Sequence, residues 1–298
     1  RPGGFHRVFQ AGRDPMNEPL PERLGLIAGG GEFPLMIARQ CRQLGIPCHV
    51  AAIRDEADAA VAEGAASIQW LGIGKLGRLI RFFKDAGVTQ AIMAGYVKHV
   101  RIFGRDRPDL RAISLLGRLP RRNTDAILGA LADELGREGV RVVDSTLLLR
   151  DLVPPAGLLT RRAPDRHERL DLEYGLAIAR EIARLDLGQT VVVCRRVVVA
   201  VETLEGTDVT IERAAALTQD EKLTVVKVSK PDQDMRFDVP IIGARTVDVL
   251  TRNRVSAMAV DAGRSLMLDK PDVLKRLDAA GITLVGVTAP AVTLPVKW

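Results

Sequence analysis

After residue 22 the chain alternates short, near-continuous apolar runs with stretches whose apolar positions recur at helical spacing, a rhythm that predicts strands and helices in turn. Arg23 to Ala28, Pro47 to Ile53, Ser67 to Leu71, Thr89 to Ala94 and Val140 to Asp144 read as strands. Between them, Leu35, Ile37, Ala38, Cys41 and Leu44 mark a helix that stops at Gly45, and helical patterns follow near Asp55 to Glu63, over Lys75 to Ala86 and over Asn123 to Gly139. Val153-Pro154-Pro155 and the charged run Arg161 to Asp171 read as a connection. Beyond it the pattern predicts helices over Leu172 to Leu185, Thr210 to Leu217, Thr246 to Arg254 and Pro271 to Ala280. It also predicts a hairpin of Thr190 to Val193 with Val197 to Val201, and strands Leu223 to Val228, Ser256 to Asp261 and Thr283 to Val287. The fold class is α/β in both halves. Residues 1–22 form a leader outside the fold, with Met16 a candidate start; 23–150 form an N-terminal parallel-sheet domain, 151–164 a linker and 165–298 a C-terminal α/β domain.

One stretch breaks the rhythm. Lys227 to Gly243 packs Lys227, Lys230 and Arg236 with Asp232, Asp234 and Asp238 between two apolar runs, bounded by Pro231 and Pro240. If it is extended, Asp232, Asp234, Arg236 and Asp238 share one side of the chain. Carboxylates lined up in this way suit a divalent cation such as Mg²⁺, which takes one or two of them and fills its other sites with water and phosphate oxygens. A solvated loop crossed by surface ion pairs accounts for the same residues. A second acidic cluster, Glu202, Glu205 and Asp208, follows the hairpin directly, so both clusters can meet at one sheet edge; Thr207 or Asp208 can equally be a helix cap. In the first half, Gly29-Gly30-Gly31 joins a strand to a helix N-terminus, a place where phosphate approaches backbone readily, although the spacing is neither a dinucleotide fingerprint nor a P-loop. Gly95-Tyr96-Val97-Lys98-His99 sits where such sheets bind ligands, placing Lys98 for a phosphate and Tyr96 for a sugar or base. Asp125, in the first turn of its helix, complements the helix dipole.

Composition narrows the ligand. The net charge of +6 is mostly arginine, which favours a phosphorylated ligand or an anionic surface. Aromatic residues are too sparse for a base-stacking platform, which argues against nucleic acid. Cys41, Cys48 and Cys194 are scattered, with neither zinc spacing nor a disulfide framework, and fit a reducing cytoplasm. No apolar run is long enough to span a bilayer.

Several segments together resemble the LpxI-type UDP-2,3-diacylglucosamine pyrophosphatases of lipid A biosynthesis. They are Leu24 to Pro34 (LGLIAGGGEFP), Ala94 to Lys98 (AGYVK), Leu185 to Gln189 (LDLGQ), Val201 to Asp208 (VETLEGTD) and Lys230 to Gly243 (KPDQDMRFDVPIIG). The chain departs from that family at Asn123-Thr124, where a Gly-Asp pair is usual before Asp125, and at Arg195-Arg196, where a small turn is usual. The resemblance implies a Rossmann-like N-terminal domain, a family-specific C-terminal α/β domain and an active site in the cleft between them. It implies Mg²⁺-dependent hydrolysis of UDP-2,3-diacylglucosamine to UMP and 2,3-diacylglucosamine 1-phosphate. Under this reading Asp208, Asp234 and Asp238 hold the metal, with Glu202 or Glu205 behind them, and Lys227, Lys230 and Arg236 stabilise the transition-state charge. Gly29, Gly30, Gly31, Tyr96, Lys98, Asp125, Gln189 and Gln233 are the substrate-binding candidates. The acylated substrate implies a cytoplasmic enzyme in transient contact with the inner-membrane surface, and a homodimer is a general expectation. Leu79, Ile80, Phe82 and Phe83 are candidates for membrane contact or for an ordinary core face. Two other classes remain open: a carrier that binds nucleotide sugars or acylated lipids without chemistry, and a nicotinamide-dependent oxidoreductase, which the absent fingerprint glycines disfavour.

Overall fold

A computed structural model describes residues 19–97, 108–119, 124–231, 233–237 and 239–289, without the side chain of Asp125. The chain divides into two compact units, Arg1–Arg150 and Asp151–Trp298.

The first unit is built on a five-stranded sheet. β1 (Leu24–Ala28), β2 (Cys48–Ile53), β3 (Ser67–Leu71), β4 (Gln90–Ala94) and β5 (Arg141–Val142) lie in the order β3-β2-β1-β4-β5, every pair parallel. Leu24, Leu26, Val50, Ala51, Ala91 and Ile92 are fully buried, as near-continuous apolar strands require in a sheet covered on both faces. Its helices are α1 (Phe33–Gln43), α2 (Leu76–Asp85), α3 (Leu110–Gly117) and α4 (Thr124–Arg137). Leu79, Ile80 and Phe83 of α2 are buried, so their stripe is a core face and does not offer a membrane surface. The helix expected near Asp55 to Glu63 is only a six-residue 3₁₀ turn, Ala59–Gly64, started by the Asp58 carboxylate accepting from the Ala60 amide at 2.8 Å. Val61 alone is buried there, too narrow a stripe for an amphipathic helix. The pattern also missed α3, a short helix with Asp109 as its cap.

In the second unit β6 (Gly157–Leu158), β7 (Thr190–Cys194), β8 (Val197–Val201), β9 (Leu223–Lys227), β11 (Val255–Asp261) and β13 (Thr283–Val287) form a six-stranded sheet, β6-β13-β11-β9-β7-β8. Its centre, β13-β11-β9, is parallel, and both edges are antiparallel. β10 (Ile241–Ile242) and β12 (Leu266–Met267) make a separate parallel pair. Alternation along the strands sorts the core: Val191, Val193, Val226, Ala257 and Val285 pack with Leu172, Leu176 and Ala179 of α5 (Arg166–Arg184). Val192, Val225, Met258 and Leu284 pack on the other face with α6 (Thr207–Leu217), α7 (Ala244–Arg252) and α8 (Lys270–Ala279).

Two departures from expectation have local causes. The charged run read as a connection holds the start of α5. Asp165 and Glu168 form a reciprocal capping box, and Arg162 grips Glu168 with two 2.8 Å bonds and the Ser256 carbonyl with one of 2.6 Å. Charges that suggest a linker are satisfied within the fold, and β6 from the same stretch pairs with β13. The hairpin turn lacks Gly or Asn, yet Arg195 and Arg196 both take positive φ, 50° and 60°. The Asp171 carboxylate on α5 accepts both of their amides, at 3.0 and 2.6 Å, and holds a conformation that arginine disfavours by itself. Cys41, Cys48 and Cys194 are free and buried. Among the described residues no helix is long and apolar enough to cross a membrane.

Candidate active site

In the first unit the chain reverses its winding between β1 and β4, and Gly29–Gly31 and Gly95-Tyr96 emerge there. The two loops bond to each other. The Gly29 amide donates to the Ala94 carbonyl at 2.8 Å, Gly30 to Tyr96 at 2.8 Å, and Tyr96 back to Gly30 at 3.1 Å. A Cβ on Gly29 would lie 2.6 Å from the Tyr96 carbonyl oxygen, and one on Gly95 2.4 Å from that of Gly30. Gly29 and Gly95 are therefore demanded by the approach of two backbones, and the amides of Gly29 and Gly30 are committed to it. Gly31, at φ +91°, opens toward α1. The Tyr96 ring lies across Gly30 and Gly31 and keeps more than half of its surface exposed. Lys98, His99 and Asn123 lie outside the described residues, as does the Asp125 side chain.

The second unit brings several candidates together at the end of β9. Thr190, which opens β7, pairs with Lys227, which closes β9, and the Glu202 amide donates to the Thr190 carbonyl at 2.8 Å. α6 begins beside them. The Thr207 hydroxyl accepts from the Lys227 ammonium at 2.8 Å and donates to the Glu202 Oε1 at 2.9 Å, and the Thr190 hydroxyl lies 3.3 Å from it. One hydroxyl thus links a cation to a carboxylate that does not touch it. Glu202 Oε2 is buried and has no hydrogen-bond partner among the described residues, an acceptor left for a ligand, a water or a cation. Gly188 permits this approach, since its Cβ would fall 1.8 Å from the Glu202 carbonyl oxygen.

Glu205 turns elsewhere. It accepts from the Thr203 hydroxyl and amide and from Arg213 at 2.7 Å, and these bonds, the Thr203 hydroxyl first, hold its carboxyl down to about 2. Its partners make it a brace for the turn into α6. Asp208 pairs with Arg245 at 2.7 Å.

The segment after β9 turns rather than running extended, because the Gln233 amide donates to the Lys230 carbonyl and the Phe237 amide to the Asp234 carbonyl. Strand alternation therefore does not place its carboxylates. Instead the Arg236 side chain and amide fold back on Asp234, with the closest contact 2.6 Å. Gln233 accepts from the Lys230 amide at 2.7 Å, and the Lys230 ammonium pairs with Asp186 at 2.7 Å. The Gln189 carbonyl accepts from the Val228 amide at 2.9 Å. Asp232 and Asp238 lie outside the described residues. Among the described residues no three His, Cys, Asp or Glu side chains gather where they could hold a metal ion.

The sequence reading missed Thr190, Asp186 and Arg245, and offered Thr207 only as a helix cap, a place that Gly206 takes. A threonine hydroxyl that relays between two charges leaves no mark in composition or spacing, although both threonines sit at the ends of elements that the reading placed beside the site.

Comparison with known proteins agrees in both units. The LpxI N-terminal domain profile matches residues 23–152 and the LpxI C-terminal domain profile residues 155–285. UDP-2,3-diacylglucosamine pyrophosphatase LpxI of Caulobacter vibrioides is 33% identical over 275 residues, 89% of this chain and 97% of that protein. Solved structures that match include a biotin carboxylase domain of a thermophilic 2-oxoglutarate carboxylase, at 14% identity, 58% of this chain, 35% of that chain and a TM-score of 0.24. Rhizobium etli pyruvate carboxylase matches at 17%, 50%, 15% and 0.26; likenesses this slight carry no argument. Two domain profiles in the right order and an end-to-end relative leave one conclusion: the chain belongs to the LpxI family.

Proposed function

We propose that this chain hydrolyses the pyrophosphate bond of UDP-2,3-diacylglucosamine, releasing UMP and 2,3-diacylglucosamine 1-phosphate, with Mg²⁺ as cofactor. The observation that carries this reading is the likeness to a relative of that name across 97% of its length. The second unit supports it with cations and carboxylates gathered at the end of β9.

The chemistry requires a site that neutralises two phosphates and admits water. Lys227, held by Thr207, and Lys230, held by Asp186, are placed to meet phosphoryl oxygens as fixed point charges. Arg236 joins them when it releases Asp234. The donor set fits a hard cation that keeps several waters, since such an ion needs only one or two carboxylates. Asp208 and Asp234 are its proposed ligands, with Asp238 of the same segment, and when bound the ion supplies charge neutralisation. Among the described residues Asp208 is tied only to Arg245, whose side chain is 85% exposed, whereas Asp234 takes up the ion by releasing the hydrogen bonds it accepts from Arg236. Glu202 stands behind them, with Oε1 fixed by Thr207 and Oε2 left to accept a proton or hold a water. Contact with an anionic membrane surface is part of the proposal. Residues 98–122 carry eight Lys and Arg against two Asp, and within them Leu110 and Ile113 of α3 are 85% and 53% exposed.

The test is turnover of UDP-2,3-diacylglucosamine by purified protein with Mg²⁺ and with EDTA, beside Lys227→Ala and Asp234→Ala. Activity that EDTA abolishes and either substitution lowers at least about 100-fold supports the reading. Full activity in both variants would remove these residues from the site.

A further inference from the structure

The segment that carries Lys230, Asp234 and Arg236 leaves the sheet at Ser229, and a buried carboxylate holds that exit. Asp261, the last residue of β11, is 1% exposed. Its Oδ1 accepts from Arg180 Nη2 at 2.5 Å, and its Oδ2 accepts from Arg180 Nη1 at 2.7 Å and from the Ser229 amide at 2.6 Å. Arg180 reaches it from α5, with 13% of its side chain exposed. β9 and β11 are neighbours whose register sets Val260 against Lys227, so Asp261 stands one residue beyond the last rung of the ladder. Val228 still finds a partner in the Gln189 carbonyl, but the Ser229 amide has left the strand and is buried. Nearby, Arg264 reaches the Lys230 carbonyl at 3.4 Å and the Ser265 hydroxyl returns to the Asp261 carbonyl at 3.3 Å.

Stability does not explain this arrangement. Desolvating two charges offsets most of their attraction, and replacing a buried ion pair by apolar residues of similar volume is often neutral or stabilising. An apolar residue at 261 would continue a strand whose every residue is buried. What an apolar pair cannot do is accept the Ser229 amide and set the angle at which the chain departs. Arg180 in turn fixes the carboxylate through a two-pronged contact from a third element. We propose that Arg180 and Asp261 are positioning residues: the acceptor at 261, held by the hydrogen bonds of Arg180, fixes the exit of β9 and thereby holds Lys227 and the turn that carries Lys230, Asp234 and Arg236 in working register. This rests on the reading that the turn serves hydrolysis.

The experiment compares two double variants with wild type. Arg180→Leu/Asp261→Leu removes the charge and the acceptor; Arg180→Gln/Asp261→Asn removes the charge and keeps hydrogen-bonding groups. Melting temperature, hydrogen exchange of the peptide that contains Ser229 without substrate, and kcat and KM for UDP-2,3-diacylglucosamine are measured on each. The leucine pair is expected to fold with a melting temperature near wild type, to exchange that peptide about tenfold faster, and to lose about tenfold in kcat while KM stays within about twofold. The amide pair is expected to restore slow exchange and most of kcat. Wild-type exchange and kcat in the leucine pair would overturn the proposal. Should the leucine pair fail to fold, the single variant Asp261→Asn decides by the same readouts, with fast exchange and full kcat as the contrary result. Exchange is read without substrate, so a wild type that holds the segment but does not turn over would count against the hydrolase reading alone.

Discussion

Replacing Thr207 by Val keeps the shape of the side chain and deletes the hydroxyl that joins Lys227 to Glu202. Two hydrogen bonds to charged groups disappear, of 2.8 and 2.9 Å. Each such bond contributes about 1.5–3 kcal/mol. Lys227 is half-buried and regains water, whereas Glu202 Oε2 is already buried with no partner among the described residues and Oε1 would lose the one it has. The net cost is therefore about 2–4 kcal/mol, nearer the price of one orphaned carboxylate oxygen than of two full bonds. For a unit of this size that lowers the melting temperature by about 5–12 °C. Thr207→Ser retains the hydroxyl and loses a methyl group, for about 0.8 kcal/mol. Urea denaturation followed by circular dichroism measures both, with the slope unchanged and only the midpoint moved. In the same samples kcat should fall at least about tenfold for Val and little for Ser, because an unanchored ammonium is no longer aimed. If Val and Ser variants are equally stable, the relay reasoning fails.

Three other outcomes follow from single positions. Gly95→Ala places a Cβ 2.4 Å from the Gly30 carbonyl oxygen at φ +89°, whereas Gly45→Ala at φ +68° meets nothing within 4 Å; the first should cost at least about 3 kcal/mol and the second about 1 kcal/mol, and equal melting temperatures would contradict the account of the paired loops. Glu205 is held below its ordinary 4.5, down to about 2, so its stabilisation is complete above pH 4.5 and disappears as pH falls through about 2. Melting curves of wild type and Glu205→Gln should accordingly converge between those limits, and a gap that stays constant with pH would assign the effect elsewhere. Leu110→Ser/Ile113→Ser should weaken co-sedimentation with vesicles containing anionic lipid by about tenfold at low salt while leaving the melting temperature unchanged; undiminished sedimentation would remove α3 from the membrane reading.

The parallel order of the first sheet follows from its alternation of buried apolar runs with helices, and that alternation is plain in the sequence. The hairpin of the second unit was equally legible, because β-branched runs bracket it, even though Arg195 and Arg196 hid the turn. What supports that turn is Asp171, a residue on another element, and no local pattern reports such a partner. The same reason hid Asp261, whose partners Ser229 and Arg180 lie 32 and 81 residues away. Asp165 and Glu168 show the converse: their capping-box spacing is local and visible, but the surrounding charges suggested a linker. The glycines after β1 were legible as a close approach of something to the backbone. Only the fold reveals that Gly29 and Gly30 also meet the Tyr96 loop. Of the two alternatives for Lys227 to Gly243, the extended one does not hold, because Gln233 and Phe237 close two turns, the first with Pro231 at the position where proline favours a turn, and ion pairs cross the segment.

The most direct test of the central claim is to identify the products. Purified protein with Mg²⁺ is incubated with UDP-2,3-diacylglucosamine, and the nucleotide and lipid fractions are resolved by mass spectrometry. The account predicts UMP and 2,3-diacylglucosamine 1-phosphate in equal amounts, lost on adding EDTA. Intact substrate recovered in stoichiometric complex with the protein, or UDP with free diacylglucosamine, would contradict it.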